Sequence, residues 1–358
     1  MKLLFITGIF FCFLTGAAAA ELPVSSYGGQ VLTEDTTWSG TVVVKGSVVV
    51  APQATLRIVP GTVVRFVPTA LQPLPNLVVQ GRINVVGTAE RPVTMLGALN
   101  GSARSSWGGL ILLASEKKNL IEQCRIESAE TAIDLRFSTL TLKATAIVQA
   151  TTALLAYDSV LHLIDDTMTD CDLGISAFNS ELDGKNVTIA SCQRGGEFTR
   201  SGISLHGLKL LNSQHSGMVS EGSRIRIIGG EFIGNMLAAR INGGEGQITM
   251  TRFQNNRETA LHLSGSRMKI QRCLFTGNVH DALRTEDGQA LILNNSFVSN
   301  GGYNLYNAGR EVIAAWQNWW GGTDQLRIGQ KIYDSTQDKS VAPVRSTPWL
   351  TEKPLLVP

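Results

Sequence analysis

Apolar and polar positions alternate along this chain in short runs, and the runs recur at a fixed interval. The segments GEFIGN (230–235), TRFQNN (251–256), CLFTGN (273–278) and NSFVSN (295–300) each place Phe third and Asn sixth. Their phenylalanines, Phe232, Phe253, Phe275 and Phe297, are 21, 22 and 22 residues apart. Stepping backward at that interval meets Leu210, Ile189, Met168, Ile147 and Ile126, and stepping forward by 22 meets Trp319. Unbroken large apolar occupancy at one period marks an internal repeat. A second column lies five residues earlier: Ile121, Leu142, Leu163, Gly184, Leu205, Ile227, Ile248, Ile270, Ile292 and Ala314. Around it, stretches such as Arg224-Ile225-Arg226-Ile227 have period two, the signature of half-buried strands.

Each unit of ~21–22 residues therefore holds short strands separated by turns rich in Gly, Asn and Ser. No unit sustains a 3.6-residue period, so helical repeats are disfavoured. The pattern predicts an all-β fold, a single parallel β-helix in which one unit is one coil. Successive coils then stack at the inter-strand spacing of about 4.8 Å, like residues on like residues. Asn235, Asn256, Asn278 and Asn300 are expected to form a ladder at a turn, where Asn tolerates left-handed backbone. Cys171 and Cys192 share one column with Ser213 and read as stacked small interior residues, with a disulfide between them the less favoured alternative.

The amino-terminal third follows the same logic in other words: ATLRIVPGTVVRF (54–66), NLVVQGRINVVGTAERPVTM (76–95) and WGGLILL (107–113). In that order these segments resemble bacterial exported right-handed parallel β-helix proteins of the pectate-lyase-like superfamily. NWWGGTDQLRIGQKIYD (318–334) is similar to the ending that many such proteins share. The resemblance spans roughly residues 30 to 350. It implies a right-handed solenoid with terminal caps and carries little about activity, because this fold hosts lyases, hydrolases, epimerases and non-catalytic surface proteins.

Residues 1–20, MKLLFITGIFFCFLTGAAAA, have the form of a signal peptide: Lys2, an apolar run from Leu3 to Leu14, and an A-x-A site at Ala18 to Ala20. The run is too short to span a bilayer. The organisation expected is a signal peptide over 1–20, the β-helix over 21–322 and a capping segment over 323–358. The mature protein is expected to be exported to the periplasm, the cell surface or the medium, and not to be an integral membrane protein. Its 31 basic and 29 acidic residues nearly balance, which gives no bulk electrostatic case for nucleic acid.

The solenoid assigns inward and outward positions, and with them the candidate chemistry. Aligning TAIDL (131–135), TALLA (152–156), TALHL (259–263), DALRT (281–285) and YNLYN (303–307) gives an outward column: Asp134, Leu155, Ser176, Arg240, His262, Arg284 and Tyr306. The last four form a basic and aromatic strip on consecutive coils. Guanidinium groups fork carboxylates and a phenol ring offers a stacking face, so the strip suits an anionic or sugar ligand.

Catalytic sets are harder to find. Polygalacturonases of that superfamily carry N-T-D, D-D, G-H-G and R-x-K on successive coils. This chain has only an isolated Asp165-Asp166, and LHGL (205–208) lacks the first Gly. Asp166 and Asp170 are the candidate calcium ligands, but the register puts Asp166 in line with Cys124 and Cys273, towards the interior. No metal or other cofactor is therefore expected. The five histidines fall in different columns, and no G-x-S-x-G or P-loop pattern occurs.

The reading that follows is an exported, non-catalytic β-helix that binds carbohydrate or serves as a structural component of the cell envelope. Its partner would be a polysaccharide or an envelope component. The alternative is a lyase, hydrolase or epimerase of uronic-acid polymers. An acidic pair or triad beside Arg240, His262 and Arg284 would favour the enzyme.

Overall fold

A computed structural model describes residues 24–71, 74–97, 105–115 and 117–354; the signal-peptide expectation over 1–20 lies outside them. The described chain winds into one parallel β-solenoid. Its three walls are a 13-stranded sheet (sheet 1) and two 14-stranded sheets (sheets 2 and 3), each visited once per coil. A representative coil runs through Thr167–Thr169 in sheet 1, Leu173–Phe178 in sheet 2 and Glu181–Lys185 in sheet 3. All strand pairing is with the coil before and the coil after, and all of it is parallel.

Both apolar columns stack as the period predicts. Ile126, Ile147, Met168, Ile189, Leu210, Phe232, Phe253, Phe275 and Phe297 are register partners from coil to coil. The phenylalanine rings lie face to face, with centroids 4.9, 4.8 and 5.0 Å apart. At the end of the stack the structure corrects the sequence reading. Trp320, not Trp319, stacks on Phe297 at 4.8 Å, and Ala315, not Ala314, is the fully buried residue of the second column. The last coil is one residue longer, since Ser296 bridges Trp319 and Leu291 pairs with Ala314. In a strand, a shift of one residue exchanges the inner and outer faces.

Three corners per coil turn the chain, and each uses a residue with positive φ. Asp165 (57°), Asn186 (55°) and Met250 (50°) hold one corner on different coils, and Asn179 (48°) and Arg200 (49°) hold another. Asn and Asp adopt this conformation readily, whereas Met and Arg do so at a cost. Hydrogen bonds between coils offset that cost, as where Arg200 donates its N–H to the Glu221 carbonyl at 2.9 Å.

The asparagine ladder exists at a corner on the residues expected, but the left-handed backbone belongs to the residue before each of them. The left-handed residues are Gly234, Asn255, Gly277 and Ser299. The ladder residues Asn235, Asn256, Asn278 and Asn300 follow them and are buried. Oδ1 of Asn256, Asn278 and Asn300 accepts from the backbone N–H and the amide of the preceding ladder residue, at 2.9–3.2 Å. Each Nδ2 of the first three donates to a main-chain carbonyl. The amide therefore satisfies backbone groups that the corner would otherwise orphan inside the core. A serine ladder, Ser138, Ser159, Ser180, Ser201 and Ser223, does the same at a second corner. Cys171 and Cys192 are buried thiols, not a disulfide.

Beyond the last full coil comes helix Gln325–Gln330, capped at its start by Asp324 and burying Ile328. Ile332–Tyr333 then adds a strand to sheet 2, and Val344–Arg345 adds one to sheet 3. These additions cover part of the unpaired strand edge that ends any open stack.

Candidate binding face on sheet 2

Arg240, His262, Arg284 and Tyr306 are register partners on four successive strands of sheet 2. The flanking residues Leu261, Leu263 and Leu283 are buried, so the alternation of the strand drives the four polar side chains outward. The same column runs on through Glu197 and Val219, which the aligned sequence segments do not include. Asp134, expected outward, lies on this column but is buried at 5% exposure, its carboxylate held by Arg136 at 2.8 Å.

The four residues differ in how freely they can meet a ligand. Arg240 is exposed, and no ion pair engages it among the described residues. The Arg284 guanidinium carbon lies 4.4 Å from the centroid of the Tyr306 ring, and its Nε donates to Glu286 Oε1 at 2.9 Å. Tyr306 stacks on Tyr333 with centroids 4.2 Å apart and planes 4° from parallel. Tyr303 meets both rings edge-on at 5.5 Å. The strip thus ends in an aromatic cluster whose offset stacking and edge contacts fix the ring positions.

His262 Nε2 lies 3.3 Å from Glu286 Oε2 but makes no hydrogen bond. Burial lowers the imidazole's affinity for a proton; Glu286 opposes that effect, and the flanking Arg240 and Arg284 reinforce it. Burial alone would raise the Glu286 carboxyl, but the Arg284 hydrogen bond and the charges of His262 and Arg284 hold it below the usual carboxylate range. Desolvation and the bonds shared with Tyr306 and Asp338 push the Tyr333 phenol up to about 12. At neutral pH the face therefore presents two guanidinium ions, a Glu286 carboxylate committed to Arg284, a neutral imidazole and an un-ionised Tyr333 phenol that donates to Asp338.

Two members of this face escape the sequence reading. From sequence, Glu286 reads as leading into a turn, although its spacing of two from Arg284 places both on one side of a strand. Tyr333 gives no signal, because the helix Gln325–Gln330 interrupts the period before it. Among the described residues, the acids around the strip are Glu286, paired with Arg284, Asp338, which accepts from the Tyr333 hydroxyl at 3.3 Å, and, further along these columns, Glu197, paired with Arg194 at 2.6 Å, and Glu221 beside Asn242.

The calcium candidates do not converge. Asp166 is buried and accepts two backbone N–H groups. Asp165 and Asp170 occupy left-handed corner positions, and Asp172 accepts from the Gln193 amide. No group of three or more His, Cys, Asp or Glu among the described residues is arranged to hold a metal ion, and no helix among them is long and apolar enough to cross a membrane.

Comparison with known families agrees with this geometry. Residues 29–151 match the pectate-lyase-like beta helix domain, and residues 197–314 match the right-handed beta helix region. The chain is a right-handed parallel β-helix repeat protein. No curated protein matches it. Among solved structures, this β-helix protein is similar to a periplasmic alginate epimerase, at 11% identity over 76% of both chains with a TM-score of 0.46. It is similar to the A-module of a mannuronan C-5 epimerase from Azotobacter vinelandii, at 12% identity over 87% of this chain and 91% of that one, TM-score 0.44. A PL6-family polysaccharide lyase from Pseudopedobacter saltans is similar at 11% identity over 83% and 93% of the two chains, TM-score 0.41.

Proposed function

We propose that this β-helix protein is exported and binds an acidic polysaccharide along sheet 2 without transforming it. The observation that carries this reading is the strip of Arg240, His262, Arg284 and Tyr306 on successive rungs, extended by the stacked Tyr333, whose adjoining carboxylates are both engaged, Glu286 by Arg284 and Asp338 by the Tyr333 hydroxyl. Rungs about 4.8 Å apart present one contact for each sugar ring of a chain lying along the solenoid axis. The guanidinium groups take the carboxylates in two-point hydrogen bonds, and the tyrosine face takes the apolar side of a pyranose ring. Export follows from the signal-peptide form of residues 1–20.

One observation favours a catalytic second reading. A neutral, partly buried imidazole between two arginines is suited to removing the proton next to a carboxylate that the arginines neutralise. His262 would then be the base, and the outcome would be epimerisation or elimination of a uronate.

Titration with polygalacturonate, pectate and alginate, combined with ultraviolet detection of unsaturated product and assay of reducing ends, separates the two readings. We expect binding that Arg240→Ala/Arg284→Ala weakens by about tenfold or more, with no product formed. Product formation that His262→Gln abolishes would overturn the non-catalytic reading.

A further inference from the structure

Sheet 3 carries a second concavity, on a different wall of the solenoid. Two outward columns run side by side there. In one, Arg224, Glu245, Arg267 and Gln289 are successive register partners; in the other, Arg226, Gln247, Lys269 and Leu291 are. Between them opens a cavity of about 610 Å³. Gly246 occupies the inward column between Ile225 and Met268, and a Cβ there would lie 1.9 Å from the Ile225 carbonyl oxygen. Only glycine allows that approach.

The charge of this cavity is one-sided. Four cations, Arg224, Arg226, Arg267 and Lys269, line it against a single acid, Glu245. Arg224 is shared with Glu181 at 3.4 Å, in a pair that is largely exposed. Among the described residues, Arg226, Arg267 and Lys269 have no ion-pair partner. Unlike the sheet 2 strip, which is half neutralised by Glu286, this groove therefore holds unspent positive charge in a concave place, where field lines concentrate. No aromatic side chain lines the cavity, so a nucleic-acid base would find nothing to stack on. Gln247 and Gln289 instead offer amides that can both donate to and accept from hydroxyl groups, and Leu291 and Val312 offer an aliphatic surface.

We propose that this groove is a second binding site, on sheet 3, for a carboxylated polysaccharide. Arg226 and Lys269 stand two rungs apart in one column and take carboxylates on the same side of the chain. Arg267, in the neighbouring column, takes a carboxylate on the other side. The glutamine amides hold ring hydroxyls. The two sites would lie on neighbouring walls, so one molecule could hold two chains. The sheet 3 site does not depend on the sheet 2 reading, since it shares no residue with it.

Calorimetric titration with an oligogalacturonate of defined length tests the proposal, using the full chain and each double variant. Two sites per molecule are expected. Arg226→Ala/Lys269→Ala should weaken one of them by at least about tenfold and leave the other, whereas Arg240→Ala/Arg284→Ala should do the reverse. Both pairs are on the surface, and far-ultraviolet circular dichroism with an unchanged melting temperature checks that each variant is folded. If only the sheet 2 reading fails, Arg226→Ala/Lys269→Ala will remove all binding. Binding identical to the parent protein in Arg226→Ala/Lys269→Ala overturns the sheet 3 site. So does tighter binding at that site by a neutral maltooligosaccharide or by a single-stranded oligonucleotide.

Discussion

The backbone N–H of Thr145 donates to Oδ1 of Asp166, 2.8 Å away on the next coil. The other carboxylate oxygen accepts from Ile164 at the same distance. Asp166 thus does with a carboxylate what serine and asparagine side chains do at other corners. It does so in an apolar wall, and burial pushes its pKa up to about 7, although the two backbone hydrogen bonds pull it down.

The consequence for stability has a definite sign. Between about pH 4 and pH 7 the folded chain keeps a proton that the unfolded chain has released, so stability falls as pH rises through that window and levels off above it. At ~1.4 kcal/mol per tenfold change in proton affinity, the loss is on the order of 4 kcal/mol. Asp166→Asn should flatten this slope. An amide already works in the same column, where Asn295 accepts from Cys273 at 2.9 Å and donates to the Ile270 carbonyl at 3.0 Å. Urea unfolding of both proteins at pH 4.5 and pH 7.5 measures the effect, and an unchanged slope in the variant would assign the pH dependence to another group.

Phe253 sits between Phe232 and Phe275 and is fully buried. Phe253→Ala removes a ring from the middle of the stack and leaves a cavity that two flanking rings cannot close. The expected cost is about 3–5 kcal/mol. Phe253→Leu, which keeps most of the apolar volume, should cost clearly less. Denaturation midpoints for the two variants check the order.

Asn256 supports its corner in both directions. Its Oδ1 accepts from the Asn235 backbone and side chain, and its Nδ2 donates to the Phe232 carbonyl. Asn256→Ala leaves those buried groups without partners, each at about 1–3 kcal/mol. A total loss of about 3 kcal/mol or more is expected. Gln254→Ala, on the same coil but half-exposed, should stay within about 0.5 kcal/mol. Equal losses for the two would show that the ladder contributes nothing special.

For His262, the depressed proton affinity makes charge a property of acidic solution only. Glu286, Arg240 and Arg284 surround it, and burial outweighs the attraction of Glu286. Affinity for a polyuronate on sheet 2 should therefore be flat from pH 8 to about pH 6.5, the usual imidazole value, and rise below it as the ligand draws a proton onto the ring. His262→Gln should lose that rise. The same protonation opposes folding in the absence of ligand, because the folded chain binds the proton less well than the unfolded chain.

Columns such as Phe232 to Phe297 and Ile121 to Ile292 are legible in the spacing of the sequence, because a stacked coil places residues one period apart in contact. The outward strip from Arg240 to Tyr306 is legible for the same reason. Glu286 is within reach of the same logic, two residues from Arg284. Tyr333 is not, since the helix Gln325–Gln330 breaks the period, and neither is the one-residue slip that buries Trp320 instead of Trp319.

The sequence by itself determined the repeat, the solenoid and the direction in which most strand residues point, because these depend on periodicity and short-range alternation. The tertiary structure alone decided which charges remain available. Whether Arg284 is paired with Glu286, whether Asp166 lies in an apolar wall, and whether Gly246 opens a groove beneath Arg226 and Lys269 all depend on distances between coils. Electrostatic and packing energies turn on ångströms, and a repeat period specifies only which residues are neighbours.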